Sequence, residues 1–153
     1  MRLACLFALV ITLAPSAARA QEAGHGPFGI GVIVGQPTGL TMEFELSEHT
    51  ALDAAFGWDL FDDRRLYAHL EFLYFLPTLV DADTVSLALY LGVGGFIVDR
   101  PDRVGLGVRA PIGLSLEFKA VPIEIFGEVA LHLLLAPDVD ADPGAAIGVR
   151  YYF

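Results

Sequence analysis

Apolar residues recur at every second position along most of this chain, and the recurrence defines its elements. Residues 28–46 place Phe28, Ile30, Val32, Val34, Leu40, Met42, Phe44 and Leu46 on one face, and Gly29, Gly31, Gly35, Thr41, Glu43 and Glu45 on the other. The same period of two runs through 50–60 (Leu52, Ala54, Phe56, Trp58 and Leu60 against Asp53, Gly57 and Asp59) and 65–76 (Leu66 to Leu76 against Tyr67, His69 and Glu71). It continues through 84–98, 103–118, 121–135 and a last stretch from Ala145 to Phe153. Period two is the signature of β-strands with two unlike faces. Turn-rich, acidic connectors separate the strands: Ser47-Glu48-His49, Asp62-Asp63-Arg64, Asp81-Ala82-Asp83, Asp99-Arg100-Pro101-Asp102 and Pro137 to Gly144.

Charge is sorted by face. Every ionisable group in these predicted strands falls on the second face, which is otherwise rich in Gly and Ala and carries both strand-interior arginines, Arg109 and Arg150. A water-facing surface calls for many Lys, Glu, Thr and Gln. Glycine beside isolated charges suits a narrow interior, where long side chains need room and opposite charges pair. The first face, apolar and with aromatics near strand ends (Phe28, Trp58, Phe72, Tyr74, Phe118, Tyr151, Phe153), suits lipid. Lipid cannot satisfy an open sheet edge, so the sheet must close. The pattern predicts an all-β fold: a closed antiparallel up-and-down transmembrane β-barrel. Counting 28–46 as one strand gives seven, and splitting it at Gln36-Pro37-Thr38-Gly39 gives eight. An even count is the rule for such barrels, so eight is expected. One repeat complicates this. Pro37-x-Gly39-Leu40-Thr41-x-Glu43-Phe44 recurs as Pro111-x-Gly113-Leu114-Ser115-x-Glu117-Phe118. With one geometry for both copies the count would be seven or nine; eight requires a turn at Pro37 and a bulged strand at Pro111.

The segment before the first strand has another purpose. Met1-Arg2, the apolar run from Leu3 to Leu13 and the small residues Ala18 and Ala20 form a secretory signal peptide cleaved after Ala20. Residues 21–153 are then one barrel domain. Cleavage removes Cys5, the only cysteine, together with Arg2 and Arg19, so the net charge falls from −10 to about −12 and Lys119 is the one lysine left. A chain this acidic has no basic face for nucleic acid. The apolar content is 55%, yet no stretch of the mature chain reaches the ~18 uninterrupted apolar residues of a membrane helix.

The candidate chemistry lies on the inner face: Arg109 and Arg150 against Glu43, Glu71, Glu117, Glu124 and Glu128. Such a cluster gates a small pore, binds a polar ligand, or simply fills an eight-stranded interior that is just wide enough for side chains. The filling role is favoured, because an arginine there requires acidic partners. Asp53, His69, Glu71 and His132 are candidates for acid–base work, but nothing places the inward serines Ser86 and Ser115 beside a histidine. Asp138-Val139-Asp140-Ala141-Asp142 has the alternate acids of a calcium loop, but Pro143 and Val149 stand where such a loop wants Gly and Glu. A solvated acidic loop is the expectation. No catalytic, cofactor-binding or metal site is assigned. The short connectors weigh against an adhesin.

The chain closes on Gly148-Val149-Arg150-Tyr151-Tyr152-Phe153, which resembles the C-terminal signature by which outer-membrane barrels are recognised for assembly, with Tyr151 and Phe153 carrying the signal. With Gly29-x-Gly31 to Gly39-Leu40, Val108 to Leu114 and Pro122 to Val129, the mature chain resembles the small eight-stranded barrels similar to the membrane domain of outer-membrane protein A. More narrowly, it resembles an uncharacterised family of short bacterial barrels. The resemblance implies the fold, an outer-membrane location, and outer-membrane lipid and the barrel assembly machinery as partners. It supplies no activity. The expected role is structural or interactive, with a narrow porin-like channel, a lipid- or peptide-modifying enzyme, and a soluble periplasmic lipocalin-like barrel as alternatives.

Overall fold

The computed structural model describes residues 25–59 and 65–153; the leader and the Asp62-Asp63-Arg64 connector lie outside the described residues. The strands are β1 (Phe28–Gly35), β2 (Thr38–Ser47), β3 (Thr50–Asp59), β4 (Arg65–Phe75), β5 (Val80–Asp81), β6 (Val85–Arg100), β7 (Arg103–Phe118), β8 (Ile123–Ala136) and β9 (Asp140–Tyr152). Each is antiparallel to its neighbour, β4 pairs directly with β6, and β1 closes the sheet on β9. The short β5 is no ninth stave. After β4 ends at Phe75, Leu76 N and Leu79 N still bond Leu89 O and Leu87 O of β6, and Val80 and Asp81 pair with Leu87 and Ser86. Pro77, which has no N–H to give, falls in this irregular stretch. The wall therefore has eight staves, as the alternation predicts: a closed up-and-down barrel.

The described chain begins, at His25, and ends at one end of the barrel, here the terminal end, together with the connectors 48–49, 76–84 and 119–122. The other, distal end carries the connectors after β1, β6 and β8, the end of β3 and the start of β4. The predicted faces hold. Inward positions are buried and include Thr41, Glu43, Glu45, Asp53, His69, Glu71, Arg109, Glu124, Arg150 and Tyr152. Outward positions are apolar and open, such as Val32, Leu70, Val93, Val129 and Ile147, each more than half exposed. Among the described strands Asp99 is the one charged departure: β6 runs further than expected, to Arg100, and carries Asp99 outward at its distal tip, opposite Val104. Outward aromatics gather at the terminal end, where Phe28, Tyr74, Tyr151 and Phe153 form a collar.

The two Pro-x-Gly-Leu copies separate as an eight-stave barrel requires, but not by the expected bulge. At the first copy Gly35 takes φ 137°, a left-handed conformation that favours glycine. Thr38 Oγ1 then accepts from Gly35 N at 2.9 Å and donates to Gly35 O at 3.2 Å, and the chain turns over Gln36-Pro37. At the second copy the residue preceding Ala110-Pro111 is Arg109, anchored in the lumen, and β7 runs straight on. Its register with β6 is the same on both sides of Pro111, from Leu91↔Ile112 to Gly94↔Arg109. Only the rungs opposite Gly92 and Val93 are lost, because proline donates no hydrogen bond. The true irregularities lie elsewhere, between Glu45 and Ser47 in β2 and beside Leu106 where β7 meets β8.

Gly35→Val forces a β-branched side chain into the left-handed region, with its Cβ 2.2 Å from Ala145 O. The expected loss is about 1–3 kcal/mol, read by urea unfolding of the detergent-folded protein through Trp58, the only tryptophan. An unchanged midpoint would show that this turn does not need glycine.

Candidate functional site

The lumen holds two guanidinium groups, each gripped by carboxylates from other strands. Arg109 on β7 lies nearer the distal end. Its Nη1 donates to both oxygens of Glu71 on β4, at 2.7 and 2.8 Å, and its Nη2 donates to Glu128 on β8. Its Nε donates to His132 Nε2 at 3.1 Å, so that ring carries its proton on Nδ1. Tyr90 on β6 completes the cluster by donating to Glu128 Oε2 at 2.8 Å.

Arg150 on β9 organises the lower half. Nη1 donates to Glu43 Oε2 on β2 at 3.0 Å and to Glu124 Oε2 on β8 at 2.9 Å. Nη2 donates to Asp53 on β3 and to Thr41 Oγ1, the latter at 3.0 Å. The guanidinium carbon stands 3.9 Å from the centre of the Phe126 ring, within cation–π range. Tyr152 Oη lies 2.8 Å from Glu43 Oε1 and 3.0 Å from Glu124 Oε2, its single proton donated to one of the two, and Ser115 donates to Glu124 Oε1 at 2.7 Å. The halves meet where Asp53 and Glu71 face each other across β3 and β4, with His69 Nε2 3.2 Å from Asp53 Oδ1.

Of the seven residues in the predicted charge cluster, Arg109, Arg150, Glu43, Glu71, Glu124 and Glu128 come together in these bonds. Glu117 sits apart: half-buried, it lines a cavity of about 320 Å³ at the terminal end with Glu48, Ser86 and Lys119. Asp53, singled out as an acid–base candidate, is a partner of Arg150. It also converges with His69 and Glu71, the three offering ligand atoms within 4.8 Å of one another, but both carboxylates already accept from guanidinium groups. Ser115 bonds Glu124, and Ser86 lies at the terminal-end cavity. The tyrosines Tyr90 and Tyr152 and the hydroxyl of Thr41 were visible only as inward positions. Their parity was the signal; their partners depended on registers that no strand reveals alone. The acidic run of 138–142 corrects an expectation. The run is exposed as expected, but from Asp140 it is strand rather than loop: β9 begins at Asp140, whose Cα partner is Leu134, and Asp142 pairs with His132. Both acids thereby turn toward the lumen mouth. Tyr151 and Phe153 face outward with ring centroids 5.1 Å apart, and Phe153 N is bonded to Phe28 O at 2.9 Å.

With this geometry in hand, the chain can be set beside known proteins. No family model matches it, and no curated protein does. Among solved structures it matches the N-terminal β-barrel domain of Pseudomonas aeruginosa OprF, with a TM-score of 0.60 over 82% of this chain and 96% of that one. The two share a fold. At 13% identity the likeness extends to the architecture and no further. It bears out the closed eight-stranded barrel expected from the alternation.

Arg150→Met leaves Glu43, Asp53 and Glu124 buried without their cation. The expected cost is about 3–5 kcal/mol, measured by urea unfolding in detergent micelles. Adding Glu43→Gln, Asp53→Asn and Glu124→Gln in the same chain should recover a substantial part. A cost below about 1 kcal/mol would mean that Arg150 behaves as a surface charge.

Proposed function

We propose that this protein is an integral outer-membrane barrel with a closed, charge-filled lumen, serving a structural or binding role rather than conduction or catalysis. The observation that carries this is the inversion of its wall. Within the described strands the carboxylates other than Asp99, the guanidinium groups of Arg109 and Arg150, and His69 and His132 point inward, and the outward positions are predominantly apolar. Water-soluble monomers rarely expose an apolar patch of more than a few hundred Å², and a lipocalin-like binding barrel would have its faces the other way round. Closure leaves the wall no unpaired edge along the staves that meet, which hydrocarbon requires. The terminal-end aromatic collar fits the interface zone of a bilayer, and the likeness to the OprF domain supports the same reading.

In this reading β9 is the strand that the barrel assembly machinery engages, with Tyr151 and Phe153 presenting the signal. Lipid is the principal partner. What supports a closed lumen is the packing of Arg109 and Arg150, which donate across the interior to carboxylates on β2, β3, β4 and β8.

Cell fractionation and gel mobility test the location. The protein should pellet with the outer membrane and migrate faster unheated than boiled. Recovery in the soluble periplasm without detergent would overturn it. Planar bilayers test the closed lumen: folded protein should give no conductance steps, and a reproducible ohmic conductance would reject it in favour of a channel.

A further inference from the structure

The hydrogens around Arg150 do not suffice for the contacts found there if every carboxyl is ionised. A guanidinium on its side chain carries five N–H donors. Nε and one hydrogen of Nη2 go to Thr41 Oγ1, the other Nη2 hydrogen goes to Asp53, and those of Nη1 go to Glu43 Oε2 and Glu124 Oε2. All five are then in use. Ser115 supplies the hydrogen for Glu124 Oε1. Tyr152 Oη stands 2.8 Å from Glu43 Oε1 and 3.0 Å from Glu124 Oε2, and has one hydrogen to place between two oxygens.

At hydrogen-bond distance, two oxygens with no hydrogen between them repel. Glu43 is 1% exposed, Glu124 0% and Tyr152 2%, so bulk water does not screen the contact. A second hydrogen is required. Both oxygens of Glu124 already accept, Oε1 from Ser115 and Oε2 from Arg150, and Glu43 Oε2 accepts from Arg150 as well. Glu43 Oε1 is the position left for it.

We propose that Glu43 is a proton-binding site and stands in the folded barrel as a neutral carboxylic acid. Its Oε1–H donates to Tyr152 Oη, and Tyr152 Oη–H donates to Glu124 Oε2, which stays ionised. Each hydrogen then meets one acceptor. The two bonds join β2 to β9 and β9 to β8, passing over β1, whose Gly29 lies opposite Tyr152. The charged and titratable groups facing the site are Glu45 on β2, Asp53 on β3, Glu124 on β8 and Arg150 on β9. His69 on β4 reaches Asp53, and the His25 ring lies against Tyr152 with centroids 4.5 Å apart. Carboxylates crowded in this way favour the uncharged form of one of them.

The site makes the terminal half of the plug sensitive to pH. An unfolded glutamate sheds its proton near pH ~4.3. Above that pH folding takes one proton up, so stability falls as pH rises, until the folded barrel releases the proton. The folding constant drops by up to about tenfold per pH unit on this account.

Infrared spectroscopy and urea unfolding of the full chain, folded in detergent, test the proposal. At neutral pH the spectrum should contain the carbonyl stretch of a neutral carboxylic acid, and Glu43→Gln should remove it. The substituted amide keeps the bonds, its N–H donating to Tyr152 and its oxygen accepting from Arg150. Tyr152→Phe should displace the band, because the acid loses its acceptor. Between about pH 5 and 8 the folding constant of Glu43→Gln, relative to that of the unaltered protein, should rise by up to about tenfold per unit. An ionised Glu43 serving only as a partner of Arg150 would give neither the band nor this pH dependence. Four results would each overturn the proposal: no acid band lost in Glu43→Gln, a band that Tyr152→Phe leaves in place, a stability difference that is the same at every pH, or a Glu43→Gln chain that does not fold.

Discussion

Two guanidinium groups in a space one side chain wide hold this barrel to a single arrangement. Arg109 and Arg150 together donate to five carboxylates drawn from β2, β3, β4 and β8, strands far apart in the chain. A hydrogen bond to a charged group contributes about 1.5–3 kcal/mol, but desolvating each ion costs several kcal/mol. The network's net contribution to stability is therefore modest. Its effect on specificity is not. Slipping any of these strands by one residue would turn a charge outward and an apolar side chain inward. Five carboxylates also outnumber two cations, and the hydroxyls of Tyr90, Tyr152 and Ser115 supply the neutral donors that complete the set.

The charges can meet only because glycine stands opposite the largest inward side chains. Tyr152 lies across from Gly29, Arg150 from Gly31, Tyr90 from Gly113 and Phe126 from Gly148. In each case a Cβ on the glycine would come within 3 Å of the side chain or backbone it faces. β1 is the extreme instance. Its inward positions are Gly29, Gly31, Ile33 and Gly35, so it contributes almost no lumen chemistry. What it contributes is space: Arg150 and Tyr152 pass over it to reach Thr41 and Glu43 on β2. The closing seam β1–β9 is thus held by backbone rungs and spanned by the side chains of the next strand.

The faces and the number of staves were legible because period two is a local property, readable from a few residues at a time; the limits of β6 and β9 were not. Partners were not. Glu43 and Glu117 occupy the same place in the repeated motif, yet Glu43 bonds Arg150 and Tyr152 while Glu117 borders the terminal-end cavity. The difference begins two residues upstream of each motif. Gly35 permits a reversal; Arg109, already committed to Glu71 and Glu128, does not. A proline-and-glycine motif signals turn potential, but here a tertiary salt bridge decided against it. The acidic run before Gly144 was misjudged for a related reason. Its composition is that of a loop, and only the length of its partner β8 draws Asp140 and Asp142 into the sheet.

The plug also constrains where recognition can occur. In the closed-lumen reading proposed above, Arg109 and Arg150, both bonded across the interior, block the path between the two ends, and contact with the surroundings falls to the rims and the outer face. The rims are unequal. The terminal end is ringed by aromatics and closed by the chain running on from β4 along β6, whereas the distal end is cut down at Gln36-Pro37 beside the taller β9. His132 stands at that boundary, lining a small pocket at the lumen mouth with one side of its ring and accepting from Arg109 with the other. The place where the wall is lowest is therefore also the place where the outer surface comes nearest to the charged interior.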